Sequence, residues 1–352
     1  MLSAHNIYIH VPYCAAKCRY CAFFSHACKK PDWTQYAAGI CAEIRTWHER
    51  LGRIPAPTVF FGGGTPSLMP PKIFARIMDE LHRCFDIAPD TEITIEANPG
   101  TIDRNTLLEF IKAGVNRLSV GVQSLNDDEL RYLGRIHSVR DARTLLDAAM
   151  ETGLRTSADF IYALPGWNAD TVRKLCRDIN KIGLTHCSLY ELTIEDGTPI
   201  ALENPTMPDN DAMADMYCAI TDELSLPRYE ISNYAAPGDE CRHNMNVWDG
   251  EPYIGIGRGA AGRVLIDGVW YEQTGGADGV CRPISNHDRG VERVITGLRM
   301  TRGVKMDSVT TPVLNAEYID THPELVRRRG DRLATTERGR LILDDLLVNL
   351  VG

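Results

Sequence analysis

Six short apolar runs punctuate the first part of the chain: NIYIHV from residue 6, TVFFGG from 58, TEITIEA from 91, RLSVGV from 117, SADFIYAL from 157 and CSLYEL from 187. Each is rich in β-branched and aromatic residues and too short for a buried helix, so each predicts a strand. Between them the period changes. Residues 32–52, 70–85 and 138–153 space their apolar positions three and four apart, the pattern of helices packed on a sheet, and the last two open on proline and serine start signals. Strand–helix alternation predicts parallel strands. Six such units fit an α/β fold, either a partial (β/α)6 barrel or an open doubly wound sheet, and both carry chemistry at the C-terminal strand ends. Polar and glycine residues gather there: GGGTP after the second run, Glu96 and Asn98 at the third, Gln123 and Ser124 at the fourth, Asp159 within the fifth.

After about residue 200 the alternation fades. A helical pattern at 210–224 is followed by a loop-rich stretch at 229–263, a helix at 288–301 and a C-terminal segment in which Ile342, Leu346 and Leu350 share a helical face. The expected division is a core at 1–200 and a smaller helical and loop-rich domain at 201–352. Arg327 to Arg329 read as a solvated surface.

Charge narrows the function classes. With 47 acidic residues against 38 Lys and Arg, a net of −9, there is no basis for a broad basic surface that would bind nucleic acid. Eleven cysteines, an odd number, follow an N-terminus without a basic start or a long apolar run, and no window is apolar enough to span a membrane. The expected location is therefore the reducing cytoplasm. Cys84, Cys176, Cys187 and Cys218 are expected to be small buried hydrophobes.

Three other cysteines differ in kind. In YCAAKCRYCAF, Cys14, Cys18 and Cys21 follow the first strand at CxxxCxxC spacing, on a segment free to curl so that the thiolates converge. Zinc would need a fourth ligand, for which His10 and His26 are the neighbours. A [4Fe-4S] cluster on three cysteines would leave one iron open to another ligand. The GGG of GGGTP lets a backbone approach a ligand closely, or makes a flexible turn.

Taken together, CxxxCxxC, GGGTP, IEANP, GVQS, GRIH and DFIYALPG, in that order, resemble the radical S-adenosylmethionine (SAM) superfamily. HCSLYELTIEDGTP, YEISNYAAPGDECRHN and TTERGRLILDDLL extend the likeness over nearly the whole chain. The resemblance is to the branch holding oxygen-independent coproporphyrinogen III dehydrogenase and the HemW-type heme chaperones. It implies a partial barrel in which Cys14, Cys18 and Cys21 bind three irons of a [4Fe-4S] cluster and SAM chelates the fourth. In that chemistry an electron enters the sulfonium, the S–C5′ bond breaks and a 5′-deoxyadenosyl radical can abstract hydrogen. Position by position, it implies SAM contacts from Tyr8, Gly63, Gly64, Thr65 and Glu96, a shared cavity lined by Gln123, Arg135 and Asp159, and packing near the adenine by Tyr20 and Phe23.

Two departures from the dehydrogenase favour the chaperone type. Phe23 stands where the dehydrogenase has a further cysteine, and the chain opens thirteen residues before Cys14, without the dehydrogenase's N-terminal extension. The resemblance then implies heme, a reductant for the cluster, heme-receiving proteins such as respiratory membrane enzymes, and a homodimer as an option. CRHNMNVW resembles the family's heme motif, which makes His243 the axial-ligand candidate, although Val247 replaces a tyrosine and Ala261 a histidine. Decarboxylation of coproporphyrinogen to protoporphyrinogen stays as the alternative, and the residues do not divide cleavage of SAM from its binding. GRGAAG at 257–262 also reads as GxGxxG, but RVLIDGVWYEQT after it looks like a strand and turn rather than the helix a dinucleotide site needs.

Overall fold

In the computed structural model, which describes residues 3–274 and 281–351, all six apolar runs are strands: β1 (Asn6–Val11), β2 (Thr58–Gly63), β3 (Glu92–Ala97), β4 (Arg117–Gln123), β5 (Arg155–Tyr162) and β6 (His186–Glu191). Each pairs in parallel with the next, in sequence order. A doubly wound sheet would reverse its order at a switch point. An unbroken order instead sends every right-handed crossover the same way, so the helices fall on one face and the sheet curls around the other. The architecture is the partial barrel.

The predicted helices are α1 (Trp33–Leu51), α2 (Pro71–Cys84) and, after the shorter α3 (Arg104–Lys112) and α4 (Asp127–Tyr132), α5 (Val139–Glu151). They touch in the order α1, α2, α3, α5 as an outer ring, and α6 (Ala169–Ile182) packs on α7 (Asn210–Glu223). Ile7, Ile9, Val59, Phe61, Ile95, Leu118, Val120 and Phe160 fill the layer between sheet and helices. Cys84, Cys176 and Cys187 are buried as expected, whereas Cys218 is exposed on α7.

The sheet crosses the division at residue 200. Asn233–Ala235 (β7) pairs antiparallel with β6, and Tyr253–Ile256 (β8) pairs parallel with β1. Ala261–Ile266 (β9), Val269–Thr274 (β10) and Cys281–Pro283 (β11) extend that edge as a meander. The stretch expected to be loop-rich therefore supplies both edges of the barrel sheet, together with a short helix, α8 (Arg242–Trp248). A separate core begins later, where Val294 and Leu298 pack with Leu333, Leu346 and Leu350. It includes α9 (Asn286–Gly297), capped by Ser285. Ile342 does not share the buried face of Leu346 and Leu350: it caps the last helix and is 42% exposed. Arg327 to Arg329 are exposed on a strand.

Helix α8 closes the N-terminal end of the barrel. Glu92, fully buried at the start of β3, accepts the backbone N–H groups of Arg242 (3.1 Å) and His243 (2.9 Å) and a guanidinium N–H of Arg155 (2.9 Å). Those amides are orphans of the helix's first turn, and a carboxylate is their natural partner. Burial acts to raise the Glu92 pKa, but Arg117 and these amides outweigh it and hold the carboxyl below its usual range.

Candidate functional site: the cysteine loop above the barrel

At the opposite, C-terminal end of the strands the chain leaves β1 into a loop carrying Cys14, Cys18 and Cys21. The GGGTP segment is zipped against it, with Gly64 N–H donating to Val11 O (2.7 Å) and Thr65 N–H to Tyr13 O (2.8 Å). Glycine is required for this approach. A Cβ on Gly64 would lie 2.6 Å from Tyr13 O and 3.0 Å from Cys14 Sγ, and Gly63 has φ +111° with the His10 ring where its Cβ would be.

Below the loop lies a cavity of about 400 Å3 lined by Cys14, Cys18, Cys21, by Gly63, Gly64, Thr65, Glu96, Gln123 and Asp159 from the strands and their ends, and by Arg135 from the loop after α4. Tyr20 and Phe23 line it as well. Asn98 donates to Thr65 Oγ1 (2.9 Å) and accepts from Arg135 (2.5 Å), which also donates to Gly121 O (2.7 Å) and lies 3.3 Å from Cys18 Sγ. Arg135 is thus a fixed wall of the site, its charge beside the Cys18 thiol. Gln123 sits at a bulge in β4 with φ 69°, a local twist that re-aims the strand end. Asp159 accepts from Ser119 Oγ (2.9 Å), and Glu96 accepts Gly63 N–H (3.1 Å). Burial, and then the Asp159 charge, push the Glu96 carboxyl up to about 8, while burial raises Asp159 itself.

Two expected residues are elsewhere. Tyr8 is not among the lining residues. Its hydroxyl donates to His10 Nδ1 (2.9 Å), because His10 Nε2–H is committed to the Phe24 carbonyl (2.8 Å). His243 lies at the other end of the barrel, 5% exposed, on α8 rather than on a loop, its ring 5.1 Å from that of Phe60. Thr58 must donate to the Asn6 side-chain Oδ1 (2.8 Å), so His243 Nδ1–H donates to Thr58 Oγ1 (2.7 Å). Burial lowers its pKa to about 4, so it is neutral. Ser119, Asn98 and Tyr190 join the cavity without having been assigned to it. Asn98 stood in IEANP and Tyr190 in HCSLYELT, so the motifs held the signal.

The pocket suits an open cluster better than a closed zinc site. Both ring nitrogens of His10 are engaged, His26 is not among the residues lining the cavity, and among the described residues no three His, Cys, Asp or Glu side chains are placed to hold a single ion. A cluster spans more space than an ion, and three thiols around a cavity with room for a second ligand match its donor set.

A model of the radical SAM superfamily matches residues 8–179. The chain is 37% identical over 269 residues to the heme chaperone HemW of Escherichia coli K12, covering 74% of this chain and 70% of that one. It is 30% identical over 371 residues to the heme chaperone HemW of Mycobacterium tuberculosis H37Rv, covering 99% and 95%. Zebrafish mitochondrial radical S-adenosyl methionine domain-containing protein 1 is 34% identical, covering 85% and 73%. Coproporphyrinogen III oxidase (HemN) of E. coli superposes with a TM-score of 0.81 over 99% of this chain and 89% of that one, at 20% identity, a likeness of fold. The sequence, the barrel and the three-cysteine cavity agree: the chain belongs to the radical SAM superfamily, in the branch of the HemW proteins.

Proposed function

We propose that this protein is a heme chaperone: it binds heme and delivers it to hemoprotein targets, with a [4Fe-4S] cluster and SAM at the cysteine cavity as its controlling centre. Identity to heme chaperones along essentially the full chain carries this reading. Cys14, Cys18 and Cys21 would hold the cluster, and Gly63, Gly64, Thr65, Glu96, Gln123, Arg135 and Asp159 would hold SAM. When bound, cluster and SAM together supply one-electron reductive chemistry. This chain's own residues supply the cradle. Arg135 sets a positive charge against Cys18, Glu96 and Asp159 offer carboxylates to the cationic SAM, and the GGGTP backbone fixes the loop. Tyr8 would act through His10 and the loop. His243 is sealed under the barrel with its Nδ1 tied to Thr58, so in this arrangement its ring is closed to heme iron.

Charge argues against the decarboxylase alternative. With Glu96 neutral near pH 7, the cavity lining still carries Asp159, Glu191 and Glu195, against Lys17 and Arg135 as its cations. A tetracarboxylate such as coproporphyrinogen would meet net repulsion there. Recipients resembling respiratory membrane enzymes, a reductant, a cytoplasmic location and dimerisation belong to the same proposal. No helix of the described residues is long and apolar enough to cross a membrane. The test is an anaerobic assay with reductant, SAM and coproporphyrinogen. No vinyl product is expected, and conversion to protoporphyrinogen overturns the chaperone reading.

A further inference from the structure

The cysteine loop has two faces. The inner one lines the cavity above the barrel. The outer one forms a wall of a second, larger groove of about 690 Å3, bordered also by α1 and by Gly257 and Arg258 of the turn after β8. Lys17, Ala22, Phe23 and Ser25 border both spaces, so the loop is a thin partition between them.

The groove's chemistry differs from the cavity's. Phe23 is 69% and Phe24 48% exposed, an aromatic wall turned to solvent at a cost in hydration. Phe24 is held in that position. Its carbonyl accepts from His10 Nε2–H, its ring lies against Gly259, where a Cβ would meet it at 2.4 Å, and the Arg258 guanidinium stands 5.4 Å from the ring centroid. This packing accounts for Gly257 and Gly259 of GRGAAG, which let a β turn pass close beneath His10 and the cysteine loop. The cations are Lys17, which touches two backbone carbonyls at 3.2 and 3.4 Å, and the exposed Arg258. The groove's carboxylate, Glu43, is tied to Gly257 N–H at 2.8 Å.

His26 completes the set. Its backbone N–H donates to Pro12 O (2.9 Å) and its ring stands edge-on to Tyr13 at 5.2 Å. Its imidazole is exposed, and its ring nitrogens have no hydrogen-bond partner among the described residues.

We propose that heme docks in this groove, with His26 donating a ring-nitrogen lone pair to the iron, Phe23 and Phe24 against the macrocycle, and Lys17 and Arg258 toward the propionates. The proposal rests on the heme-binding reading above and adds the place. A flat apolar dianion carrying a metal matches an exposed aromatic wall, two cations and an unengaged imidazole. The volume falls within the range of about 300–1,000 Å3 for small-molecule sites. Heme then lies across the partition from the cluster site, and Phe23, which borders both, couples the order of the cluster loop to heme affinity.

The test is a hemin titration of the full chain followed at the Soret band. His26→Ala is expected to lose the wild-type Soret position, and Arg258→Glu to weaken hemin about tenfold. Arg258 is exposed, so its replacement keeps the test valid if the His26 variant folds poorly. Wild-type spectra and affinity in both variants overturn the groove as the site and leave the chaperone reading standing. A wild-type protein that binds no hemin overturns both.

Discussion

Residue chemistry at the cavity can be tested one side chain at a time. Glu96 carries a pKa near 8 because it is buried beside Asp159, so below that pH it is protonated in the ligand-free protein. SAM brings a sulfonium, and its positive charge favours the carboxylate. SAM binding at pH 7 is therefore expected to release a proton, and SAM affinity to rise with pH up to about 8 and then level off. Calorimetry in buffers of different ionisation enthalpy reads this directly, and Glu96→Gln should lower the release by the Glu96 share. At Gly64 the obstacle is steric. Gly64→Ala forces the GGGTP strand end away from Tyr13 O and Cys14 Sγ, destabilising the loop by about 1–3 kcal/mol. Iron retained after anaerobic reconstitution should fall well below the wild-type level, and unchanged iron content would refute the cradle. At this scale the sequence was informative, since Cys14, Cys18, Cys21 and most of the wall residues sat in short motifs, several of them at strand ends. Tyr8 was less legible: its neighbour in the strand is polar enough to claim the hydroxyl, and only the fold shows that His10 faces it.

Among elements, α8 is one that the sequence concealed, for a physical reason. Its cap position is Cys241, which makes no side-chain cap, and its first-turn amides are satisfied by Glu92 far away in the chain. A helix of seven residues capped from another strand leaves no local signal. The six strands and the long helices were readable because their partners repeat at fixed periods. Glu92→Gln should cost about 3 kcal/mol or more in denaturant unfolding, because Arg117 and Arg155 then lose a buried counter-charge. Acid sensitivity has a definite sign here. Burial holds His243 and His137 near 4, and His186 is lowered too, so below about 6.5 the unfolded chain takes up protons the folded chain refuses. Stability is lost as pH falls from about 6.5 toward 4, against the contribution of Glu96, which runs the other way between about 4.5 and 8. Comparing wild type with His243→Asn isolates the histidine's share: the acid limb should be shallower in the variant, and an unchanged limb would show that His243 is not buried neutral.

At the scale of the whole molecule, one eleven-stranded sheet joins the two halves of the chain, with a large core along it and a second core toward the C-terminus. Because β7 to β11 complete both edges of the barrel and α8 closes its floor, a fragment of residues 1–200 should lack cooperative unfolding and expose apolar surface to a dye such as ANS. A sharp, full-amplitude transition from that fragment would make the barrel autonomous. Fading periodicity after residue 200 suggested a separate unit because β7 and β8 are short and find their partners across long loops, which no local pattern encodes. The two faces of the cysteine loop also emerge only at this scale, where a turn from the second half of the chain packs under a motif from the first. The central claim is that this molecule carries heme under the control of a three-cysteine cluster site. It is tested most directly by hemin titration of protein reconstituted anaerobically to about four irons per chain. A saturable Soret band at one heme per chain is the expected result, and a reconstituted protein that gives no such band contradicts it.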